Sequence, residues 1–116
     1  MTIITGHSGG IIFRADGINS NYFFRIGQDG SYELDSYGAQ QQTLKSGTSS
    51  AINTGLNQSN LIAVVANGST IDLYVNLHHI DSVSDGTYTS GQVGVAAYST
   101  SGTTEVTFNN AMVWGL

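Results

Sequence analysis

The residues of this chain best suited to chemistry are two arginines and two carboxylates that fall on three consecutive predicted strands. Arg14, Arg25, Glu33 and Asp35 occupy alternate positions in the runs Gly9 to Asp16, Tyr22 to Gly27 and Ser31 to Tyr37. Successive side chains of a strand point to opposite faces, so alternation predicts that these groups share one face of a sheet. The complete predicted face consists of Ile12, Arg14, Phe23, Arg25, Glu33, Asp35 and Tyr37.

Two interpretations of this face stay open. Arginines beside carboxylates on adjacent strands form cross-strand ion pairs, which makes the face a charge-neutral ladder on a solvated sheet. Alternatively, the face is a sugar-binding groove in which Phe23 and Tyr37 contact a pyranose ring while Arg14, Arg25 and Asp35 orient its hydroxyls. The second interpretation predicts a ligand-binding set of Arg14, Phe23, Arg25, Glu33, Asp35 and Tyr37.

The two carboxylates of this face also raise the question of catalysis. Glu33 and Asp35 are two residues apart, roughly 7 Å along a strand, which a pair of glycosidase carboxylates tolerates. No third group in the sequence points to a raised pKa for either acid. We therefore predict no catalytic residue and no enzyme activity.

Metal sites are weakly indicated. His78 and His79 point opposite ways on an extended chain, and His7 is distant in sequence, so a zinc site is not predicted. The Asp16-Gly17-x-Asn19 loop and Asp85-Gly86 are similar to oxygen-rich calcium loops, but neither has a full ligand set and ordinary turn chemistry explains both. No cofactor is predicted, and calcium is kept as the alternative.

Composition narrows the classes of partner. The 116 residues suffice for one domain, the net charge is −5, and only 9% of residues are charged against about 25% in typical domains. Three basic residues are too few to displace counterions from nucleic acid, and no apolar run approaches the ~20 residues of a membrane span. The polar residues are mostly amides and hydroxyls, which suit neutral ligands such as sugars as well as a plain solvated surface.

The elements that must position these groups are antiparallel strands. Asp29-Gly30 and Asn67-Gly68 separate alternating runs, and these dipeptides accept positive φ at both central positions of a tight hairpin turn. About nine or ten short strands at regular spacing, ending with Glu105 to Trp114, predict a single all-β domain over residues 1–116.

Several stretches resemble a known superfamily. They are Gly10-Ile11-Ile12-Phe13-Arg14, Asn21 to Ile26, Asp29 to Leu34, Ala63 to Asn76, Gly91 to Val95 and Val106 to Trp114. Together they are similar to the concanavalin A-like lectin/glucanase superfamily, in particular to its laminin-G-like and 3-keto-disaccharide hydrolase-like domains. The resemblance covers nearly the whole chain and implies a two-sheet antiparallel jelly roll.

Three departures from that family carry expectations. Family domains have strands before the Gly-Ile-Ile-Phe-Arg position, so this domain is expected to lack one or more N-terminal strands. The closing strand is then expected to be without its neighbour. A free strand edge can pair with another chain, so we expect a homodimer or higher oligomer. Leu77 follows Asn76 where the family has glycine, which predicts a longer or bulged hairpin. The paired glutamates of the glucanase branch have no counterpart.

The resemblance then implies a non-catalytic, lectin-like binding module, expected to bind carbohydrate, from an extracellular or cell-surface bacterial protein. Two alternatives remain. One is a structural, self-associating β-domain that makes protein contacts, and the other is a hydrolase domain that acts on glycosides.

Overall fold

The computed structural model describes residues 1–16, 20–98 and 102–108, and every regular element in them is a β-strand. The strands are β1 (Thr2–Thr5), β2 (Ser8–Ala15), β3 (Asn21–Gly27), β4 (Ser31–Tyr37), β5 (Gln42–Thr48), β6 (Ile62–Asn67), β7 (Thr70–Val75), β8 (His78–Ser84), β9 (Gln92–Tyr98) and β10 (Glu105–Thr107). The predicted closing strand begins where expected, and its part from residue 109 onward lies outside the described residues. No helix in the described ranges is long and apolar enough to cross a bilayer.

The strands pair antiparallel in three groups. The largest is a five-stranded sheet in the order β5-β4-β3-β2-β9, and facing it is a three-stranded sheet in the order β6-β7-β8. We call these the five-stranded and three-stranded sheets. Strands β1 and β10 form a separate two-stranded ribbon. The predicted all-β antiparallel sandwich of the jelly-roll kind is confirmed.

The core lies between the two main sheets and follows from alternation. Tyr22, Phe24 and Ile26 of β3 are fully buried, as are Leu34 of β4 and the alternate residues of β7. The buried residues of β7 are Ile71, Leu73 and Val75, and Phe13 and Ile52 complete the buried cluster. Burial of one face of each sheet fixes the register of every strand, because a slip of one residue would expose the whole apolar set. The face of the five-stranded sheet turned away from this core is therefore also fixed.

The hairpin turns differ in detail from the expectation. In both predicted turns only the glycine has positive φ: Gly30 at +88° and Gly68 at +61°. The turn that adopts positive φ at both central positions is Asn76-Leu77, at 51° and 68°. That hairpin is tight rather than longer, and the predicted irregularity lies inside it, as a register shift between Leu73 and Tyr74.

The expectation of an unpaired closing strand is wrong for the described residues. Thr2 and Ile3 of β1 pair with Thr107 and Val106 of β10, and Ile3 is buried. The short Thr2–Thr5 segment thus supplies the neighbour that the resemblance left missing. The described strands at the two edges of the five-stranded sheet are β5 and β9.

Candidate functional site

The outer face of the five-stranded sheet, which points away from the core, gathers polar residues in rows across the strands. In one row Arg25 lies opposite Gly10 on β2 and opposite Glu33 on β4, and Glu33 lies opposite Ser46 on β5. Residues directly opposite on antiparallel strands share a face. The pairing therefore brings an arginine, a carboxylate and a hydroxyl side by side.

Arg25 is held between two carboxylates. Its Nη2 donates to Oε2 of Glu33 at 2.5 Å and its Nη1 donates to Oδ2 of Asp35 at 2.7 Å. The side chains of Arg25, Glu33 and Asp35 are 13%, 27% and 0% exposed, so the ion pair with Asp35 is buried and the one with Glu33 reaches solvent. We call these three residues the Arg25 cluster, and its formal charge is −1.

Aromatic rings pack on the arginine. The guanidinium carbon of Arg25 lies 3.8 Å from the ring centroid of Tyr98 on β9 and 5.8 Å from that of Phe23. The two rings are 6.4 Å apart. Stacking on a ring face favours a cation and restricts its rotation, so the rings help to hold the guanidinium in place.

The protonation properties of the outer face reflect burial and the shared arginine. Burial raises the pKa of Glu33, the neighbouring Asp35 carboxylate raises it further, and Arg25 opposes the shift. Burial also raises the pKa of the Tyr37 phenol, with Asp35 adding to the effect and Arg25 opposing it. A second oxygen of Asp35, Oδ1, is buried without a hydrogen-bond partner among the described residues, so Arg25 is the main compensation for this buried charge.

An open cleft of about 340 Å³ adjoins the cluster. We call it the outer-face cleft. Arg25 and Glu33 border it together with hydroxyl side chains of three strands. Its lining is completed by His7, Ser8, Gly27, Ser31, Tyr32, Ser46, Gly47 and Thr48. The volume falls at the low end of small-molecule sites, which span about 300–1,000 Å³.

The structure separates the predicted site residues into groups. Arg25 and Glu33 line the outer-face cleft, and Tyr37 lies beside Asp35. Phe23 is buried and Asp35 has no exposed surface, so neither can contact a ring or hydroxyl in solvent without rearrangement. Both residues contact Arg25, which lines the cleft: Asp35 accepts a hydrogen bond from it and the ring of Phe23 lies near its guanidinium.

The predicted position of Arg14 on this face is wrong. Arg14 has a φ of 49° at a break in the register between β2 and β9, and this breaks the simple alternation. Its Nη1 donates to the carbonyl oxygens of Gly68 at 2.7 Å and Tyr88 at 3.0 Å. Arg14 therefore ties the rim of one sheet to the loops of the other.

Sequence reasoning missed the hydroxyls of the cleft. Ser31 is two residues before Glu33 and shares its face, so alternation could have found it. Ser46 and Thr48 were missed because only the pairing of β5 with β4 places them opposite Glu33 and Ser31. Tyr98 lies far along the chain, and only the pairing of β9 with β2 brings it near Arg25.

A second cleft of about 360 Å³ lies beside β8 and is lined by His78 and His79. His79 Nε2 is 3.0 Å from Oδ1 of Asp72, and within the described ranges no three or more His, Cys, Asp or Glu side chains come together as a metal site. This cleft is slightly larger than the outer-face cleft but contains no predicted ligand-binding residue and no buried charge. We therefore place the candidate site at the Arg25 cluster.

Of the two loops considered for calcium, only the one at Asp85 is fully described. Residues 17–19 lie outside the described residues. Asp85 Oδ1 accepts hydrogen bonds from the Tyr22 hydroxyl at 2.5 Å and from the Thr87 amide at 3.0 Å. Asp85 thus fixes its own turn and anchors the core residue Tyr22.

Comparison with known proteins identifies the fold. A solved structure described as a carbohydrate binding module, CBM66, from Bacillus subtilis matches this chain with a TM-score of 0.71 and 16% sequence identity. The match covers 81% of this chain and 60% of that one. No protein-family profile and no curated protein matches the chain. The likeness at this identity establishes a shared β-sandwich fold.

Proposed function

We propose that this domain is a non-catalytic carbohydrate-binding module whose ligand occupies the outer-face cleft. The observation that carries the proposal is the lining of that cleft: the hydroxyl side chains of Ser31 on β4 and of Ser46 and Thr48 on β5 lie around the solvent-exposed edge of the Arg25–Glu33 ion pair. The shared fold with a solved carbohydrate-binding module supports the same conclusion.

The cleft offers the hydrogen-bonding groups that a sugar needs. A serine or threonine hydroxyl both donates and accepts, as a sugar hydroxyl does. Ser31 donates to Asp29 Oδ1 at 2.5 Å, so its hydroxyl oxygen remains as an acceptor for a ligand. Ser31 and Thr48 are directly opposite on β4 and β5, and Ser46 is opposite Glu33. Because these groups stand on paired strands rather than on loops, their spacing is set before the ligand arrives.

The same geometry disfavours glycoside hydrolysis. A glycosidase needs two carboxyl groups that both reach the scissile bond. Asp35 has no exposed surface, and both Asp35 and Glu33 are occupied by Arg25. Measured turnover on glycosides that disappears in Asp35→Asn would overturn this part of the proposal.

We place the module at the cell surface or outside the cell of a bacterium. The amide-rich and hydroxyl-rich surface with few charges supports this placement. So does the fold likeness to a bacterial carbohydrate-binding module.

A glycan array tests binding, and paired hydroxyl variants test the cleft. The variant Ser46→Ala/Thr48→Val removes two hydroxyls from the cleft, and Thr70→Val/Ser84→Ala removes the same two groups from an opposite pair on the three-stranded sheet. Two lost hydrogen bonds predict about a tenfold loss of affinity in the first variant and none in the second. No saturable binding by the folded domain, or equal losses in both variants, would refute the proposal.

Self-association through β9 is the second candidate function, and the exposed edge favours it. Among the described strands β9 has an open side, no charged residue, and two half-exposed valines, Val93 at 48% and Val95 at 49%. Edges of this kind accept another strand. Sedimentation over a concentration series should show a dimer that Val93→Lys converts to a monomer, whereas a monomer at all concentrations would exclude this candidate.

A further inference from the structure

All three basic side chains of the chain are engaged within the protein. The sequence contains only Arg14, Arg25 and Lys45 as Lys or Arg. Arg14 donates to two carbonyl oxygens at the rim, and Lys45 lies 3.8 Å from Asp81 of the three-stranded sheet. Both therefore point their charge away from the outer-face cleft.

Arg25 is the one basic side chain that borders the cleft, and its charge is more than balanced. Both of its terminal nitrogens donate to carboxylates, so a ligand anion would have to compete with Glu33 and Asp35 for them. Among the cleft-lining residues the other titratable groups are Tyr32, whose hydroxyl donates to Asp81, and the exposed His7. The segments from β2 and β5 contribute only uncharged residues to the lining.

A second carboxylate, that of the exposed Asp29, lies beside the lining, where it accepts a hydrogen bond from the Ser31 hydroxyl at 2.5 Å. The exposed charge within the lining itself is the carboxylate of Glu33. Its side chain is 27% exposed, while that of Asp35 is completely covered. A carboxylate accepts hydrogen bonds from hydroxyl or ammonium groups and repels another carboxylate or a sulfate. The net charge of −5 on the whole chain adds to that repulsion at longer range.

From this arrangement we infer that the outer-face cleft selects its glycans by charge: it binds sugars through their hydroxyl groups and excludes those that carry carboxylate or sulfate. The inference rests on the proposed carbohydrate-binding function and names the ligand class of the same site.

The test compares glycans that differ only in charge. Immobilised protein is exposed at pH 8 and low salt to neutral β-1,4-glucan, β-1,4-mannan and α-1,4-galactan oligosaccharides, and to the corresponding uronic acid oligosaccharides. We expect binding of at least one neutral oligosaccharide and about fivefold weaker binding of its uronate, which is the effect of the repulsion between two unit charges about 4 Å apart in water.

Two variants locate the source of the selectivity. Glu33→Gln removes a negative charge from the cleft, and Asp72→Asn removes one from the three-stranded sheet, where Asp72 pairs with His79. We expect Glu33→Gln to improve uronate binding relative to neutral binding about fivefold and Asp72→Asn to leave the ratio unchanged. Uronate binding equal to or stronger than neutral binding overturns the charge selection while leaving carbohydrate binding intact. Equal effects of the two variants also overturn it, and binding of no oligosaccharide overturns the proposed function together with this inference.

Discussion

The buried contact between Arg25 and Asp35 offers the sharpest test of how the outer face is held together. The variant Arg25→Met keeps the unbranched part of the side chain and removes the charged guanidinium. Asp35 then has no cation within reach, because its Oδ2 bonds to Arg25, its Oδ1 has no partner among the described residues, and its side chain is 0% exposed. Leaving one member of a buried pair unpaired costs about 3–5 kcal/mol of unfolding free energy.

That loss is large enough to measure by thermal unfolding. For a chain of this length about 1 kcal/mol corresponds to about 4 °C in Tm, so Arg25→Met should unfold about 12–20 °C below the wild type. Addition of Asp35→Asn to this variant removes the stranded charge and should recover at least about 2 kcal/mol, measured as a coupling free energy in a double-mutant cycle by urea unfolding.

A matched control separates buried charge from charge in general. Lys45→Met makes the same kind of change at a contact of 3.8 Å with Asp81, in which the Lys45 side chain is 48% exposed. Exposed pairs contribute about 0–1 kcal/mol, so this variant should lose less than about 1 kcal/mol. The reasoning would be refuted if Arg25→Met lost no more than Lys45→Met, or lost the same amount with asparagine at position 35.

Three further predictions concern turns, sheets and the cleft. Gly27→Ala should weaken glycan binding, because a Cβ there would lie 2.6 Å from the side-chain oxygens of Asp29 and Ser31. In the control Gly94→Ala the new Cβ meets nothing within 4 Å, so this variant should bind glycan like the wild type. Equal affinities of the two variants would count against the cleft. Leu77→Gly should raise the free energy of unfolding by about 0.5–1 kcal/mol in urea. Leu77 has a φ of 68° and is 84% exposed, and left-handed backbone costs a residue with a Cβ about 1–2 kcal/mol. An unchanged urea midpoint would argue against backbone strain at this residue. Tyr32→Phe should cost about 1 kcal/mol by removal of the 2.7 Å hydrogen bond to Asp81 that links the two main sheets. The bond raises the pKa of Tyr32 to about 12 and, against the effect of burial, helps to lower the pKa of Asp81. The wild type should therefore lose stability relative to Tyr32→Phe as the pH rises above 10. It should also lose stability relative to the variant as the pH falls below 3.8 and Asp81 is protonated. Parallel profiles of unfolding free energy against pH for the two proteins would contradict this.

Local sequence determined the strands and most of the core. The alternation in β3 and β7 gives the buried faces directly, because a period of two residues can bury one face only if the segment is extended. The same alternation placed Arg25, Glu33 and Asp35 on one face, which the structure confirms. Glycine marked the two predicted hairpins correctly, although it is the only residue with positive φ in each.

Tertiary structure decided which of these groups a ligand can reach. Simple alternation failed at Arg14, where positive φ and a register break redirect the side chain to the loops of the facing sheet. It also could not show that Asp35 is covered while Glu33 remains partly exposed, since burial depends on every neighbouring element. The contact between Tyr98 and Arg25 depends on the return of β9 to the five-stranded sheet, a pairing between residues far apart in the chain. The sequence thus specified strands with two distinct faces through local backbone geometry, whereas the exposure and charge balance of the site arise only when distant strands pack together.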